Sequence, residues 1–513
     1  MAGKSRRRHI VVIGGSITGL GAGLALTSDG HRVTILEGDS APMPESHLEA
    51  FDWERRGSPQ TKHSHALLAR LYLFIRDRAP DLLDKVLACG AEELGFVDRA
   101  RELFGEVELE DGDDDIVLLA CRRSTFEWVL RRHILDTGLV DFRDGVSVTG
   151  LSSVRDEVTG LPRVTGVRVE DADGSAYELT ADLIVDASGR RSRLRKWLPQ
   201  IGTPEVRQDS EPCGIFYTSR FYRLHDEAKP PELDGGIIGA DLGYLKVGLF
   251  PGDSRIFSLT LAADPHDDVM RKILHQPGFD AAAAAIPVAA AWTNEEISEP
   301  ISGVNGMANL NNTRRFLVEA GEPLALGVCA IGDALIHTNP IVGRGCSLGW
   351  VGAFALADSL REHPDDLRAL ALALDARIER EVVPWYAMQL RQDRDSIEVA
   401  EAQRRGENPY QAVREDGTNN PKAFMRAVLR EGLLPALRED VMLMRIFMRA
   451  MNLLDRPDDL ISRPQVMQRV MASYQKREER EPVFQGPGRS EMLGILERTG
   501  DECSTAPDSG VRP

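Results

Sequence analysis

Hydrophobic positions near the start of the chain change period twice. His9–Ile13 (HIVVI) is a short β-branched run of the kind found in a parallel strand buried on both faces. The stretch that follows, GLGAGLALTSDG, is rich in small and apolar residues and suits a helix packed closely on a sheet, with Gly30 placed to end it. HRVTILE resumes the strand pattern and stops at Glu37. Residues 40–65 carry Pro42, Pro44, Gly57 and Pro59 and read as loop. Helices are predicted near 65–90, strands with turn signals across 104–122, and a helix from Thr125 to about Asp136. Residues 140–187 read as a meander ending in the apolar run ADLIVDASG.

The pattern changes from about 205 to 320. CGIFYTSRFYRL, YLKVGLFP and RIFSLTLAAD alternate partially and are bounded by Gly, Pro and Asp, which predicts a second domain with an antiparallel sheet. LALGVCAIGDA returns to the buried-strand type, CSLGWVGAFALADSL reads as a helix, and residues 366–475 are mostly helical. Arg438–Leu454 is apolar around most of its circumference, with Arg445, Arg449 and Asn452 as a narrow polar stripe. Its helical length is roughly 25 Å, short of the roughly 30 Å of a bilayer core. One buried helix is expected there, with a methionine-lined substrate channel or membrane-surface attachment as alternatives. Residues beyond about 485 are rich in Gly, Pro, Ser and charge and are expected to be disordered.

Charge removes one function class. The net charge of -18 gives no cationic footprint for nucleic acid. Cys89, Cys121, Cys213, Cys329, Cys346 and Cys503 are scattered without CxxC or zinc spacing, so reduced thiols, a cytoplasmic location and no metal site are expected. Lys4, Arg6, Arg7 and Arg8 precede an apolar run, as in a signal peptide. That run is broken by glycines and leads into a second strand, so the basic residues read as a solvated tail and membrane contact is not expected.

Three separated segments carry candidate chemistry. In Ile13–Gly23 the outer glycines of a GxGxxG turn are Gly14 and Gly19, with Gly15 beside them and Ser16 replacing the middle glycine. Gly14 permits the tight turn, Gly19 lets helix and strand approach, and the helix N-terminus offers N–H groups to a pyrophosphate. Glu37 ends the second strand, where a carboxylate can accept from adenosine ribose hydroxyls. In Ala330–Trp350, Gly332 and Asp333 close a buried strand and Asp333 is placed for a ribityl hydroxyl. Pro340 fixes a loop, while Gly343 and Gly345 let the backbone pass a flat ring. This segment resembles the GD motif of the para-hydroxybenzoate hydroxylase-like flavoprotein monooxygenases. Asp186–Leu198 (DASGRRSRLRKWL) resembles that family's DG segment, so Asp186 and Gly189 join the expected cofactor contacts. Ser188 stands where the family has aspartate, which weakens the case for direct NAD(P)H use. Arg190, Arg191, Arg193 and Arg195 read as a solvated patch, or as help for a docking reductase or a nicotinamide phosphate.

Arg55–Leu67 (RRGSPQTKHSHALL) looks like the G-V-P-Q-x-x-H-x-H stretch of a sub-branch that includes the polyether-forming flavin epoxidases, with Ser58 in place of valine. Cys121–Arg131 is similar to the same branch, with Arg123 as the implied FAD contact. The resemblance implies an α/β fold: a Rossmann-like FAD-binding domain in two parts (residues 1–200 and 321–365) with an inserted mixed or antiparallel β-sheet substrate domain (201–320). A helical C-terminal region (366–485) and a tail (486–513) follow. It implies an FAD-dependent monooxygenase that hydroxylates or epoxidises a hydrophobic small molecule through a flavin C(4a)-hydroperoxide. O2 is the oxidant, and NAD(P)H or a separate flavin reductase is the electron donor. His63, His65 and Arg344 are the candidate catalytic residues, each with a structural role as its alternative; His337 lies in the flavin loop on the same terms. No WxWxIP motif occurs, which argues against tryptophan halogenation. A reductase or dehydrogenase acting on prenyl-type substrates and a non-redox, flavin-scaffolded binding protein remain as alternatives.

Overall fold

The computed structural model describes residues 7–231, 239–414, 416–458, 462–480 and 485–503. Among these, one parallel sheet runs from Val328–Ala330 through Leu183–Asp186, His9–Ile13 and Arg32–Glu37 to Val140–Asp144. Its central strand sets Ile13 between Asp186 on one side and Leu36 on the other. Ile10, Val11, Val12, Val33 and Ile35 are fully buried. Both faces are covered, so the strands read as unbroken apolar runs. On one face lie helices α1 (Ile17–Ser28), α2 (Arg123–Thr137) and α3 (Gly345–Glu362). Trp350 pins α3 to α1 by donating from Nε1 to the Ile17 carbonyl at 3.2 Å.

The other face packs Val11, Ile13 and Leu36 against an antiparallel meander of Ser147–Arg155, Pro162–Glu170 and Ala176–Thr180. The meander is therefore shorter than 140–187: its expected first and last strands belong to the parallel sheet. Residues 104–122 also differ from expectation. The helix Phe96–Phe104 runs into them, Asp113–Asp115 make a short helical turn, and only Val117–Ala120 is a strand, paired with Glu92–Gly95.

Phe216–Leu224, Leu245–Pro251 and Ile256–Ala263 form the heart of an antiparallel sheet. Gln276–Ala285 and Pro287–Thr293, unforeseen as helices, cover one face of it. Leu367–Glu381 and α4 (Val383–Arg404) follow α3. Farther on, a small separate core gathers Val428, Leu437, Leu443, Ile446 and Val470.

Two C-terminal expectations are corrected. Arg438–Leu454 is two helices, because Asp440 breaks the run and caps the second, Val441–Met451, by accepting from the Leu443 N–H at 3.1 Å. Its polar stripe is spent on ion pairs, Arg445 with Asp113 (2.7 Å) and Glu110 (2.6 Å) and Arg449 with Asp455 (2.9 Å). Met444 and Met448 pack around Phe96 and Ala100, and neither lines the large cleft beside the parallel sheet. The expected disordered tail begins instead with helix α5 (Arg489–Cys503), whose Met492 and Leu496 are fully buried in the core of the antiparallel sheet domain. Residues 504–513 lie outside the described residues. Among the described residues no helix is long and apolar enough to cross a membrane.

Candidate cofactor and active site

A deep cleft opens where α1 leaves the parallel sheet, and it holds about 2010 Å³ counted out to its open mouth. The space within it that water can occupy is about 360 Å³, inside the roughly 300–1,000 Å³ range of small-molecule and cofactor pockets. Gly14 has φ of 103°, and a β-carbon there would lie 2.6 Å from the Ala187 carbonyl oxygen, so only glycine makes this turn. Gly19 packs on the Gly14 carbonyl and lies off the cleft. Ser16 does not cap α1; its hydroxyl donates to Glu127 Oε2 at 2.7 Å. No capping side chain therefore takes up the first-turn N–H groups, as an anion site requires.

Glu37 is held rigidly at the cleft wall. It accepts from the Gly15 N–H (2.8 Å) and the Asp39 N–H (2.9 Å), and Arg55 Nη2 reaches it at 3.2 Å. With three of roughly four acceptor positions used, one remains for a ribose hydroxyl. Arg55 also pairs with Asp39 and Glu127, and its side chain is 1% exposed. Arg123 donates from Nη2 to Ser16 Oγ at 2.9 Å and turns Nη1 toward His65 Nε2 at 3.4 Å, while its buried Nε has no partner among the described residues.

The two loop histidines work differently. His65 lines the cleft, and its Nδ1–H donates to the His63 carbonyl at 3.0 Å, which leaves Nε2 as the acceptor facing Arg123. Burial first, then the Arg123 charge, lower its pKa to about 3. His65 is thus a neutral clamp on Arg123 and a poor proton donor. His63 sits behind the wall, 4% exposed, its pKa lowered to about 4 by burial and then by Arg190. Its Nδ1 meets Ser219 Oγ at 3.2 Å, Ser219 meets Thr260 Oγ1 at 2.8 Å, and Thr260 meets Ser64 Oγ at 2.7 Å. Ser64 and Thr260 reach the cleft, so this chain ends in one polar spot there.

The sign of the pH effect follows. Both histidines are neutral when folded but take up protons near pH 6.5 when unfolded, so their contribution is complete above about pH 6.5 and fades as pH falls toward 4 and then 3. Thermal midpoints should fall between about pH 7.5 and 5, and fall less in the His63→Gln/His65→Gln double variant. Parallel curves for parent and variant would refute this assignment.

Asp333, Pro340, Gly343 and Gly345 line the same cleft, with His337. His337 donates from Nδ1 to the Asn311 carbonyl at 2.7 Å, with Nε2 3.9 Å from Asp333. A β-carbon on Gly345 would meet no protein atom within 4 Å, so the space beside this backbone is open to a flat ligand. The loop hangs on a network that sequence reasoning missed. Asp393 of α4 accepts from Asn312 Nδ2 (2.6 Å), Asn339 Nδ2 (2.9 Å) and Gln389 Nε2 (2.7 Å), while Asn339 Oδ1 accepts from the Ile341 N–H. Besides Gly19 and His63, three more candidates lie off the cleft. Arg344 points away, to Gln389 Oε1 at 3.1 Å and across the Trp385 ring, which suits a loop anchor and not a catalyst. Asp186 is fully buried, its oxygens taken by Ser188 Oγ and Ser192 Oγ, each at 2.5 Å. Gly332 packs against Thr18. Gly189 does line the cleft.

The wall beyond the glycine loops comes from the antiparallel sheet and its connections: Tyr217, Phe250, Thr260, Met307 and Leu310. Residues 7–219 match a family model described as an FAD binding domain. A curated relative, Protein Rv3254 of Mycobacterium tuberculosis, is 27% identical over 404 residues, 74% of this chain and 79% of its own length. A flavoprotein/dehydrogenase from Cytophaga hutchinsonii superposes with a TM-score of 0.58 at 14% identity, covering 93% of this chain and 100% of its own. The anhydrotetracycline hydroxylase OxyS of Streptomyces rimosus gives 0.53 at 19% identity, with 88% and 76% covered. At such identities the structural likeness speaks for the fold.

Proposed function

We propose that this chain, an FAD-dependent oxidoreductase, works as a monooxygenase that places one oxygen atom from O2 into a hydrophobic small molecule. The observation that carries the reading is that one cleft is lined both by the glycine turns and Asp333 and by Tyr217, Phe250, Met307 and Leu310. Bound there, reduced flavin would supply the activation of O2. The chain's own part is positional. The α1 N-terminus and Arg123 would hold the pyrophosphate, Glu37 the adenosine ribose and Asp333 the ribityl chain. The apolar wall would seat the substrate and exclude water, with the Ser64–Thr260 hydroxyls orienting one oxygen of it. His65, neutral and engaged, would leave proton delivery to groups other than itself. The RRGSPQTKHSH stretch supports a narrower likeness to the polyether-forming epoxidases, and hydroxylation and epoxidation both fit this wall. Either NAD(P)H or a flavin reductase would serve as donor.

Photoreduced, FAD-loaded protein mixed with 18O2 and with 2-naphthol or 1-dodecene as probes should give product carrying one labelled atom. Unlabelled, dehydrogenated product would sink the monooxygenase reading and leave the dehydrogenase one. Asp333→Ala should weaken FAD retention by on the order of tenfold or more, the loss of a charge-assisted hydrogen bond. The flavin-to-protein ratio after gel filtration measures it, and an unchanged ratio would remove Asp333 from the site.

A further inference from the structure

Arg190, Arg191, Arg193, Arg195 and Lys196 crowd one loop and the start of the short helix Leu194–Gln200. All are exposed, and none makes an ion pair with a described residue. Paired surface arginines are common elsewhere on this acid-rich chain, as with Arg368 and Glu322, Arg394 and Glu211, or Arg426 and Asp395. Asp186, at the base of the same loop, is fully buried, forms no ion pair with any of the loop's cations, and interacts instead with Arg315, while its oxygens accept from Ser188 and Ser192. The loop backbone is anchored, since Arg315 Nη2 donates to the Arg190 carbonyl at 3.0 Å and the Ser192 N–H donates to the Gly189 carbonyl. The loop therefore fixes unneutralised positive charge at this rim, where an anion would find it.

Arg190, Arg191 and Arg193 line the same cleft as Tyr217, Phe250, Met307 and Leu310. The Arg190 charge is felt at that wall: it adds to burial in holding the His63 pKa down, and opposes the rise that burial causes at Tyr217. A dinucleotide's own charge has partners elsewhere, at the α1 N-terminus and Arg123. An apolar chamber and a cationic rim on one cavity call for a ligand with both characters.

We infer that the substrate is an amphiphile, an apolar body ending in a carboxylate or similar anion, with Arg190, Arg191 and Arg193 as the counter-charge at the cleft mouth. This rests on the flavin-site reading of the cleft. The arginines select the substrate and orient it, apolar end inward; they take no part in bond making.

The test uses FAD-loaded protein, dodecanoate and dodecanol below their micelle or solubility limits, and the visible flavin band as reporter. Dodecanoate should bind on the order of tenfold more tightly than dodecanol at low salt, the gain from one charge-assisted contact. The Arg190→Gln/Arg191→Gln/Arg193→Gln variant should lose that preference while keeping its flavin-to-protein ratio and its affinity for dodecanol. Equal affinities in the parent, or no response to either probe, overturn the inference. So does loss of flavin from the variant, which makes the arginines cofactor ligands, or displacement of dodecanoate by 2′-phospho-AMP, which makes the rim a nucleotide site. A parent that is colourless before any probe is added overturns the flavin reading itself, a result distinct from the others.

Discussion

Protein carrying Arg55→Met is expected to purify without colour and to unfold at a markedly lower temperature than the parent. The Arg55 guanidinium stands among Glu37, Asp39 and Glu127, whose side chains are 9%, 6% and 1% exposed. Burial opposes its charge, yet these carboxylates more than offset that and raise its pKa. Taking the cation away strands buried anions, a loss on the order of 3–5 kcal/mol. It also frees Glu37 from the position set by Arg55 Nη2 and removes a neighbour of Glu127, which accepts from Ser16. Flavin absorbance and thermal unfolding read the two effects separately. Adding Glu127→Gln should restore part of the lost stability, because one fewer anion is left unpaired. A yellow Arg55→Met protein with the parent's midpoint would show that the cluster matters to neither cofactor nor fold.

Gly19→Ala should be nearly as damaging, though it adds a single methyl group. The new β-carbon would fall within the van der Waals shell of the Gly14 carbonyl oxygen, and both groups are backbone or fixed to it. Either the turn opens or α1 backs away from the first strand, at a cost on the order of 3 kcal/mol. Gly14→Val fails for a related reason: its β-carbon runs into Ala187 and the Ser188 Cα, and φ of 103° is strained for any side chain. These glycines thus act first through the shape of the turn and only then on a pyrophosphate. A Gly19→Ala protein that binds flavin and melts like the parent would overturn this account of the turn.

What was legible in the sequence was local. Gly14, Gly19 and Glu37 sit within one strand-turn-helix-strand unit, where spacing alone sets geometry, and the buried strands announced themselves as apolar runs. The contacts that finish the site are not local. Arg55 meets Glu127 across 72 positions, and Asp393 meets Asn312 and Asn339 across 81 and 54. Each is an ordinary polar residue in its own neighbourhood, so no periodicity marks it. Arg344 was legible only as a choice between loop anchor and ligand contact, and the partners that select the anchor, Gln389 and Trp385 of α4, lie more than forty residues away. Helix α5 was missed because Gly, Pro, Ser and charge around it hide two apolar residues one helical turn apart, Met492 and Leu496.

That last helix has a consequence for biogenesis. The antiparallel sheet is synthesised between residues 216 and 263, yet Met492 and Leu496, which complete its core, come more than two hundred residues later. On a ribosome this domain must wait, with an open seam, until the segment carrying Met492 and Leu496 has emerged. During that interval Phe279, Ala283 and their neighbours face solvent or a chaperone. A premature stop before Arg489 would leave that seam open for good.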